Sequence, residues 1–312
     1  MSATEVGGAD GVVKTAAGGG LVWAYTGILL AVAFWGGSFI ATKIALRSVS
    51  PLTVVAIRFG IGTLTLGTAA LVRRQFVIPP RRDLVTFALL GAFGVTLHQG
   101  LQSTGLLTAQ ATTSAWIITT VPVFIAALGA IFLRESFGPA QIGGLLIAAV
   151  GAMTVVSRGD WSAVAVGRIG TTGDWLVLGS AVVWAVFSVL SKPTLKHHPA
   201  LLAMLYVMGF GWLFALILFV GDRGWIELPR LNAPGWLGLT FLGVCCSGLA
   251  YVFWYGGLEK IPASRVGAFL YLEPIVTAVV AASLLREVVT TFTWIGGGMI
   301  VAGVWLVNQR SG

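Results

Sequence analysis

Apolar residues fill this chain in long blocks, and polar and turn residues collect in short breaks between them. Cutting at the breaks gives ten apolar segments, near residues 22–45, 52–72, 84–106, 110–133, 139–157, 174–192, 200–220, 235–258, 263–285 and 290–308. Each approaches the roughly 20 residues a helix needs to cross the hydrocarbon core of a bilayer. No strand periodicity interrupts them, and the longest polar breaks, 158–173 and 221–234, are too short for a soluble insertion. The pattern predicts an all-α integral membrane protein with ten transmembrane helices, numbered here spans 1 to 10. The first twenty residues, MSATEVGGADGVVKTAAGGG, are small and aperiodic and are expected to form a disordered tail, with a second short tail at 309–312. The apolar stretch after residue 20 is too long for a signal-peptide core and no cleavage pattern follows it, so it is expected to remain as span 1.

The blocks repeat. A shift of 152 residues lays Gly105 on Gly257, Ala111 on Ala263, Pro122 on Pro274, and Arg134-Glu135 on Arg286-Glu287. TTVPVFIAALGAIFLRE (119–135) and YLEPIVTAVVAASLLRE (271–287) are therefore one element used twice. More weakly, FWGGSFIATK (34–43) matches WAVFSVLSK (184–192), with Ser38 on Ser188. The copies divide the chain into residues 21–158 and 173–308. Each holds five spans, and an odd number forces the second copy to run through the membrane upside down. Two inverted five-helix repeats are the plan of many secondary transporters, whose site lies at the midplane between the halves.

Composition agrees: 57% of residues are hydrophobic, only 10% are charged, and mean hydropathy is +0.92, against about a quarter charged in soluble domains. The net charge of +8 sits at segment ends, which fits membrane orientation rather than nucleic-acid binding. With Arg58 set aside, eleven Lys and Arg fall on the side of the termini and seven on the other. Both termini are therefore expected in the cytoplasm, with the protein in a bacterial inner membrane. Cys245 and Cys246 are adjacent, point about 100° apart on a helix, and suit packing rather than a disulfide or metal. No nucleotide loop, metal motif or nucleophile elbow is present, so no cofactor, metal or catalytic group is expected. Uphill movement of a solute would then need an ion gradient or exchange.

Candidate chemistry lies where polar groups interrupt apolar spans. Glu273 sits mid-span in span 9, where a charge costs at least about 2.5 kcal/mol unless it faces a cavity or a partner. It reads either as a proton-coupling group or as a brace for the bend at Pro274; its repeat mate is Val121. Pro122 and Pro274 each free a backbone carbonyl and are candidate gating bends. In span 3, His98 and Gln102 share a helix face beside Gln99, a platform for a polar zwitterion or an interhelical hydrogen-bond brace. Trp35 and Ser38 in span 1, Trp116 in span 4, Trp184 in span 6, Tyr251 and Trp254 in span 8, and Tyr271 in span 9 add candidate pocket walls at similar depth. Aromatic walls with few polar anchors suit aromatic or branched amino acids and amphipathic drugs. Arg58, a turn or two inside span 2, could bind a carboxylate, but it is expected to snorkel to the interface. Arg134-Glu135 and Arg286-Glu287 read as ion pairs or gating latches. GGLLIAAVGA (143–152) and GGGMIVAG (296–303) carry small residues at four-residue spacing. They predict close helix packing through spans 5 and 10, within a monomer or across a homodimer.

The runs AFWGGSFIATKIAL (33–46), IRFGIG (57–62), TTSAWIITTVPVFIAALGAIFLRE (112–135) and AFLYLEPIVTAVVAASLLRE (268–287) resemble the EamA type of the drug/metabolite transporter superfamily. The resemblance covers roughly residues 22–308. It implies a cavity between spans 1, 3, 4, 6, 8 and 9, an outer scaffold from spans 5 and 10, and export of amino acids or other small metabolites, often against a proton gradient. The expectation is a secondary exporter of a small-molecule substrate working by alternating access, not an enzyme. The alternatives are an intramembrane enzyme transferring a group onto a lipid through His98 and Glu273, which would need more clustered charge than this chain has, or a non-transporting sensor or accessory subunit.

Overall fold

The structure, a computed structural model, describes residues 10–133, 138–166 and 169–308. Among them the ten expected spans are ten helical stretches. Span 1 is Asp10–Ala45, span 2 Pro51–Val72, span 3 Arg81–Gly105 and span 4 the pair Ala111–Ile118 and Val121–Leu133. Span 5 is Pro139–Ser157, span 6 Thr172–His197, span 7 Ala200–Gly221 and span 8 Ala233–Leu258. Span 9 is built from Ala263–Ala268, Phe269–Leu272 and Glu273–Leu284, and span 10 is Thr291–Val307. Nine are long and apolar enough to cross a membrane, and span 10, with 17 residues, falls just short. The chain is an all-helical integral membrane protein.

Helix starts follow local chemistry. Ser50, Thr171, Asn232 and Thr290 each place a side-chain oxygen on the amide of the residue three positions on, at 3.3, 3.2, 2.9 and 3.2 Å. Each satisfies one of the donors a helix leaves orphaned. Span 1 departs from expectation, since it begins at Asp10 inside the stretch read as a tail. The run VVKTAA contains no breaker, but the helix also crosses Gly18, Gly19 and Gly20, each costing about 1 kcal/mol relative to Ala. Residues 1–9, Arg134-Glu135 and the 309–312 tail lie outside the described residues.

The packing repeats as the sequence does. Span 1 lies against spans 8 and 9, and span 6 lies in the same way against spans 3 and 4. Span 2 packs on span 8 and span 7 on span 3, while spans 2 and 7 meet each other and spans 5 and 10 meet each other. Exchanging the copies maps this contact pattern onto itself. With five spans per copy, the exchange is a two-fold rotation about an axis in the membrane plane. Ten crossings also put both ends of the described chain on one face, called here the terminal face.

Spans 5 and 10 form the tightest pair, and Gly144, Gly151, Gly296 and Gly303 pack between them within the chain. A Cβ built on Gly144 would lie 2.7 Å from the Gly303 carbonyl oxygen, and one on Gly151 would lie 2.7 Å from that of Gly296. Backbone meets backbone there, the geometry small residues permit in lipid.

Breaks in the helices are symmetric as well. Span 3 widens into a π-helical stretch at Ala92–Leu97 and span 8 at Phe241–Leu249, positions that overlap under the 152-residue shift. Span 4 is interrupted at Thr119 and Thr120 just before Pro122. Span 9 tightens into a 3₁₀ turn at Phe269–Leu272 just before Glu273 and Pro274. All four irregularities lie where the halves face each other, and discontinuous helices of this kind line transporter sites.

Candidate functional site

Between the halves lies a cavity of about 370 Å³. Span 1 contributes Trp35 and Ser38, span 3 His98, Gln99 and Gln102, and span 4 Pro122. Span 6 contributes Trp184, span 8 Tyr251 and Trp254, and span 9 Tyr271 and Glu273. The six spans expected to line it all do so, and spans 2 and 7 add Arg58 and Met204. A volume in the range of about 300–1,000 Å³ with mostly aromatic walls is that of a small-ligand site.

The cavity leads toward the terminal face. Met204 and Gly267 lie about one turn from the helix ends on that face, and Trp254, Tyr255, Leu270 and Tyr271 are only half-buried. Toward the opposite face it is roofed by Ser103, Leu106 and Ala109, which are 2%, 2% and 0% exposed. Glu287 latches that roof. Its carboxylate accepts the amide of Ala111 at 2.8 Å and the amide and hydroxyl of Thr112, both at 3.0 Å, capping span 4 from outside. The Lys43 ammonium lies 3.7 Å away and also donates to the Ala109 carbonyl. Arg286, at φ +55°, turns the chain sharply enough to aim Glu287 there. A separate cleft of about 400 Å³ around Lys43, Arg47 and Gln110 is the outer surface of this latch; it lacks the aromatic walls of the central cavity.

Because the Glu287 side chain is only 8% exposed, Glu287→Gln should cost about 1–3 kcal/mol of closed-roof stability. In a background lacking Cys245 and Cys246, a cysteine at buried Ser103 should then react several-fold faster with an impermeant maleimide from that face. Unchanged labelling would remove the latch role.

Within the cavity each polar group has a defined setting. The Nδ1–H of His98 donates to the Ser180 carbonyl at 2.9 Å, because a carbonyl can only accept, and this leaves Nε2 as the free polar atom of the ring. The Trp184 ring lies 4.9 Å from the imidazole, centroid to centroid. The Trp35 indole donates to the Cys246 carbonyl at 3.0 Å, inside the π-helical stretch of span 8, and packs 5.6 Å from Tyr251 and 5.2 Å from Trp254. Trp35 is thus a fixed wall rather than a loose belt residue. Cys246 itself is buried, and its thiol donates to the Phe34 carbonyl at 3.2 Å.

Glu273 is the first residue of its half-helix, enclosed by protein but open to the cavity. No described residue donates a hydrogen bond to its carboxylate. The brace at this bend is Thr277, whose hydroxyl lies 2.8 Å from the Gly36 carbonyl and 2.9 Å from the Glu273 carbonyl, tying span 9 to span 1.

One expected pocket wall is placed elsewhere. Trp116 does not line the cavity. It is 3% exposed and packs with Val155, Ile300 and Val304 against the scaffold, its ring filling the space a Cβ on Gly297 would need. Pro274, expected as a bend rather than a wall, is buried in the first turn after the helix break. Arg58 corrects the sequence reading in the other direction. It is 6% exposed, far from snorkelling, with Nε 2.9 Å from the Ser247 hydroxyl and a terminal nitrogen 2.9 Å from the Gln99 side-chain oxygen. The meeting of spans 2 and 8 makes this possible, since a Cβ on Gly62 would sit 2.6 Å from that of Ser247. IRFGIG carried the signal, a glycine one turn after a mid-span arginine.

Comparison with known proteins fits this architecture. The EamA-like transporter family matches twice, over residues 22–157 and 171–309, one match per repeat. A "Probable terminal-alkyne amino-acid exporter" of Streptantibioticus cattleyicolor is 33% identical over 298 residues, covering 93% of this chain and 94% of the relative. An "Uncharacterized transporter" of Archaeoglobus fulgidus is 32% identical over 285 residues, covering 91% of this chain and 96% of the relative. A crystal structure at 19% identity superimposes with a TM-score of 0.62 over 94% of this chain and 99% of its own, which shows a shared fold. With two family matches that together span nearly all the described helices, the chain belongs to the EamA-like transporter family and is a multi-pass membrane transporter.

Proposed function

We propose that the protein exports small organic solutes, foremost amino acids or related metabolites, across the cytoplasmic membrane by proton-coupled alternating access. One observation carries this: a cavity at the boundary of two inverted halves holds a carboxylate to which no described residue donates a hydrogen bond. Such a group is costly in the membrane interior and marks an ion or substrate path. With the terminal face in the cytoplasm, the cavity is in the loading state and the Lys43–Glu287 roof is the closed exit. Rocking of the halves at the breaks before Pro122 and Pro274 would exchange these states, and Glu273 would return protons as solute leaves. The amino-acid exporter of S. cattleyicolor supports the substrate class. A lipid-modifying enzyme has no comparable support, because the aromatic cavity brings no cluster of acids or bases to a membrane face.

Counterflow in proteoliposomes across an amino-acid panel tests the reading; no exchange with any member would defeat it. Within the active set, His98→Ala should slow counterflow about 3- to 10-fold, the effect of losing one or two interhelical-strength hydrogen bonds. An unchanged rate would remove His98 from the site.

A further inference from the structure

Arg58 is a buried cation with no described anion beside it. Of its five N–H groups, one donates to Ser247 and one to Gln99, both neutral side chains. The face of the Phe59 ring, 5.2 Å away, adds weak compensation. Among the described residues no carboxylate lies within 4.0 Å of the guanidinium. A buried charge held by neutral partners is a poor structural choice, since removing it and filling the space with apolar atoms would be less costly. What Ser247 and Gln99 accomplish is orientation. They fix a planar fork by two of its edges while the side chain remains part of the cavity wall. A fork fixed in that way matches a carboxylate bidentately.

The other charged wall is Glu273. Both groups line one cavity, yet they make no ion pair with each other. A ligand with one carboxylate and one ammonium would satisfy both at once. Depth orders them: Arg58 lies near the roofed end with His98, Gln99 and Gln102, and Glu273 lies nearer the middle of its span. The fixed aromatic group of Trp35, Tyr251 and Trp254 borders the space beside them.

We propose that Arg58, oriented by Gln99 and Ser247, is the carboxylate anchor of the site, so that the substrate is a monocarboxylic zwitterion with its acid toward the roof, its ammonium toward Glu273 and an apolar side chain against the indoles. This rests on the reading that the cavity is the transport site and deepens it to a substrate class and an orientation. Dicarboxylates and polyphosphates do not fit, because among the described residues the cavity wall offers one arginine and one opposing acid.

The test is binding, not transport. Purified protein in nanodiscs is titrated with L-leucine, L-leucinamide, 4-methylpentanoate and L-glutamate, with L-phenylalanine and its amide as a second series. The amino acids should bind roughly tenfold or more tighter than their amides, with L-glutamate weaker than L-leucine. Arg58→Gln should bring acid and amide within about twofold, and Arg58→Lys should restore part of the gap, since it keeps the charge and loses the fork. A folded Arg58→Gln protein that still prefers the acid tenfold overturns the proposal. So does a wild type that binds acid and amide alike, or binds neither series. If both variants fail to fold, the comparison of acid and amide on the wild type decides alone. Binding with this selectivity but no counterflow would sustain the anchor while ending the export reading.

Discussion

Glu273→Gln is expected to abolish uphill accumulation while leaving a slowed exchange. If one proton enters for each solute that leaves, a pH gradient of one unit supplies about 1.4 kcal/mol and can sustain roughly a tenfold solute ratio. The amide cannot carry that proton, so the variant should bring the ratio to one. Counterflow moves solute both ways with no net proton movement, so it should persist, slowed about tenfold because the amide also lacks the charge that faces the substrate ammonium. The substitution should be structurally mild, because no described residue donates to the carboxylate and the bend is held by the Thr277 hydroxyl. That division of labour favours the proton role over the bracing role, two readings the sequence left open. The measurement is accumulation in proteoliposomes with an imposed pH gradient beside counterflow without one. A variant that still accumulates solute tenfold would assign coupling elsewhere, with His98 the next group to examine.

The reasons some features were legible and others were not are physical. Helix number and position follow from bilayer thickness acting on local composition, so ten blocks of apolar residues became ten spans, with most ends displaced by a few residues and the start of span 1 by twelve. Duplication was legible because Pro122 and Pro274, and Gly105 and Gly257, occupy positions where few residue types fit. Inversion followed from parity. Glu273 stood out because its depth alone is costly.

Rotation about the helix axis was not legible. Trp35 lies mid-span and Trp116 five residues inside span 4, yet Trp116 faces a packed scaffold and Trp35 an open cavity. In a helix apolar on every side, periodicity does not distinguish a protein-facing side from a cavity-facing one. Arg58 failed for a related reason. Snorkelling was the right default for an arginine a turn or two from a helix end, and only the approach of span 8 at Gly62 supplied Ser247 as an alternative partner. The π-helical stretches add an unreadable increment, because each extra residue per turn shifts the faces of everything that follows. Ser247 lies inside one such stretch and His98 immediately after the other.

The copies are alike in scaffold and unlike in chemistry. Glycine contacts between spans 5 and 10 are reciprocal, the breaks before the two prolines match, and the wide turns match. The charged groups do not: Glu273 has Val121 as its mate, and Arg58 with its partners comes from spans 2, 3 and 8. Symmetric mechanics with an asymmetric site is what an alternating carrier for a polar, directional ligand requires. The two end states can then be near-equivalent in packing while the ligand is held in one orientation throughout.

That mechanical half can be tested apart from the chemistry. Gly303→Leu should damage folding more than any cavity substitution. A Cβ at Gly303 would lie 2.5 Å from the Gly144 carbonyl oxygen and 2.6 Å from the Ala148 amide nitrogen, both backbone atoms that cannot swing aside. Overpacking a tight contact costs about 1–3 kcal/mol where side chains can adjust; here spans 5 and 10 must separate, so the loss should exceed that range. Gly298→Leu is the control, because nothing lies within 4 Å of its added Cβ, while the gain in hydropathy and the helix are the same. Thermal unfolding monitored by tryptophan fluorescence and size-exclusion chromatography should show Gly298→Leu close to wild type and Gly303→Leu with a strongly lowered Tm or aggregated material. Gly144→Leu combined with Gly303→Leu should cost less than the sum of the two, since both open one contact. If Gly303→Leu instead folds as the wild type does, spans 5 and 10 are not a fixed spine, and the movement of the halves would have to include them.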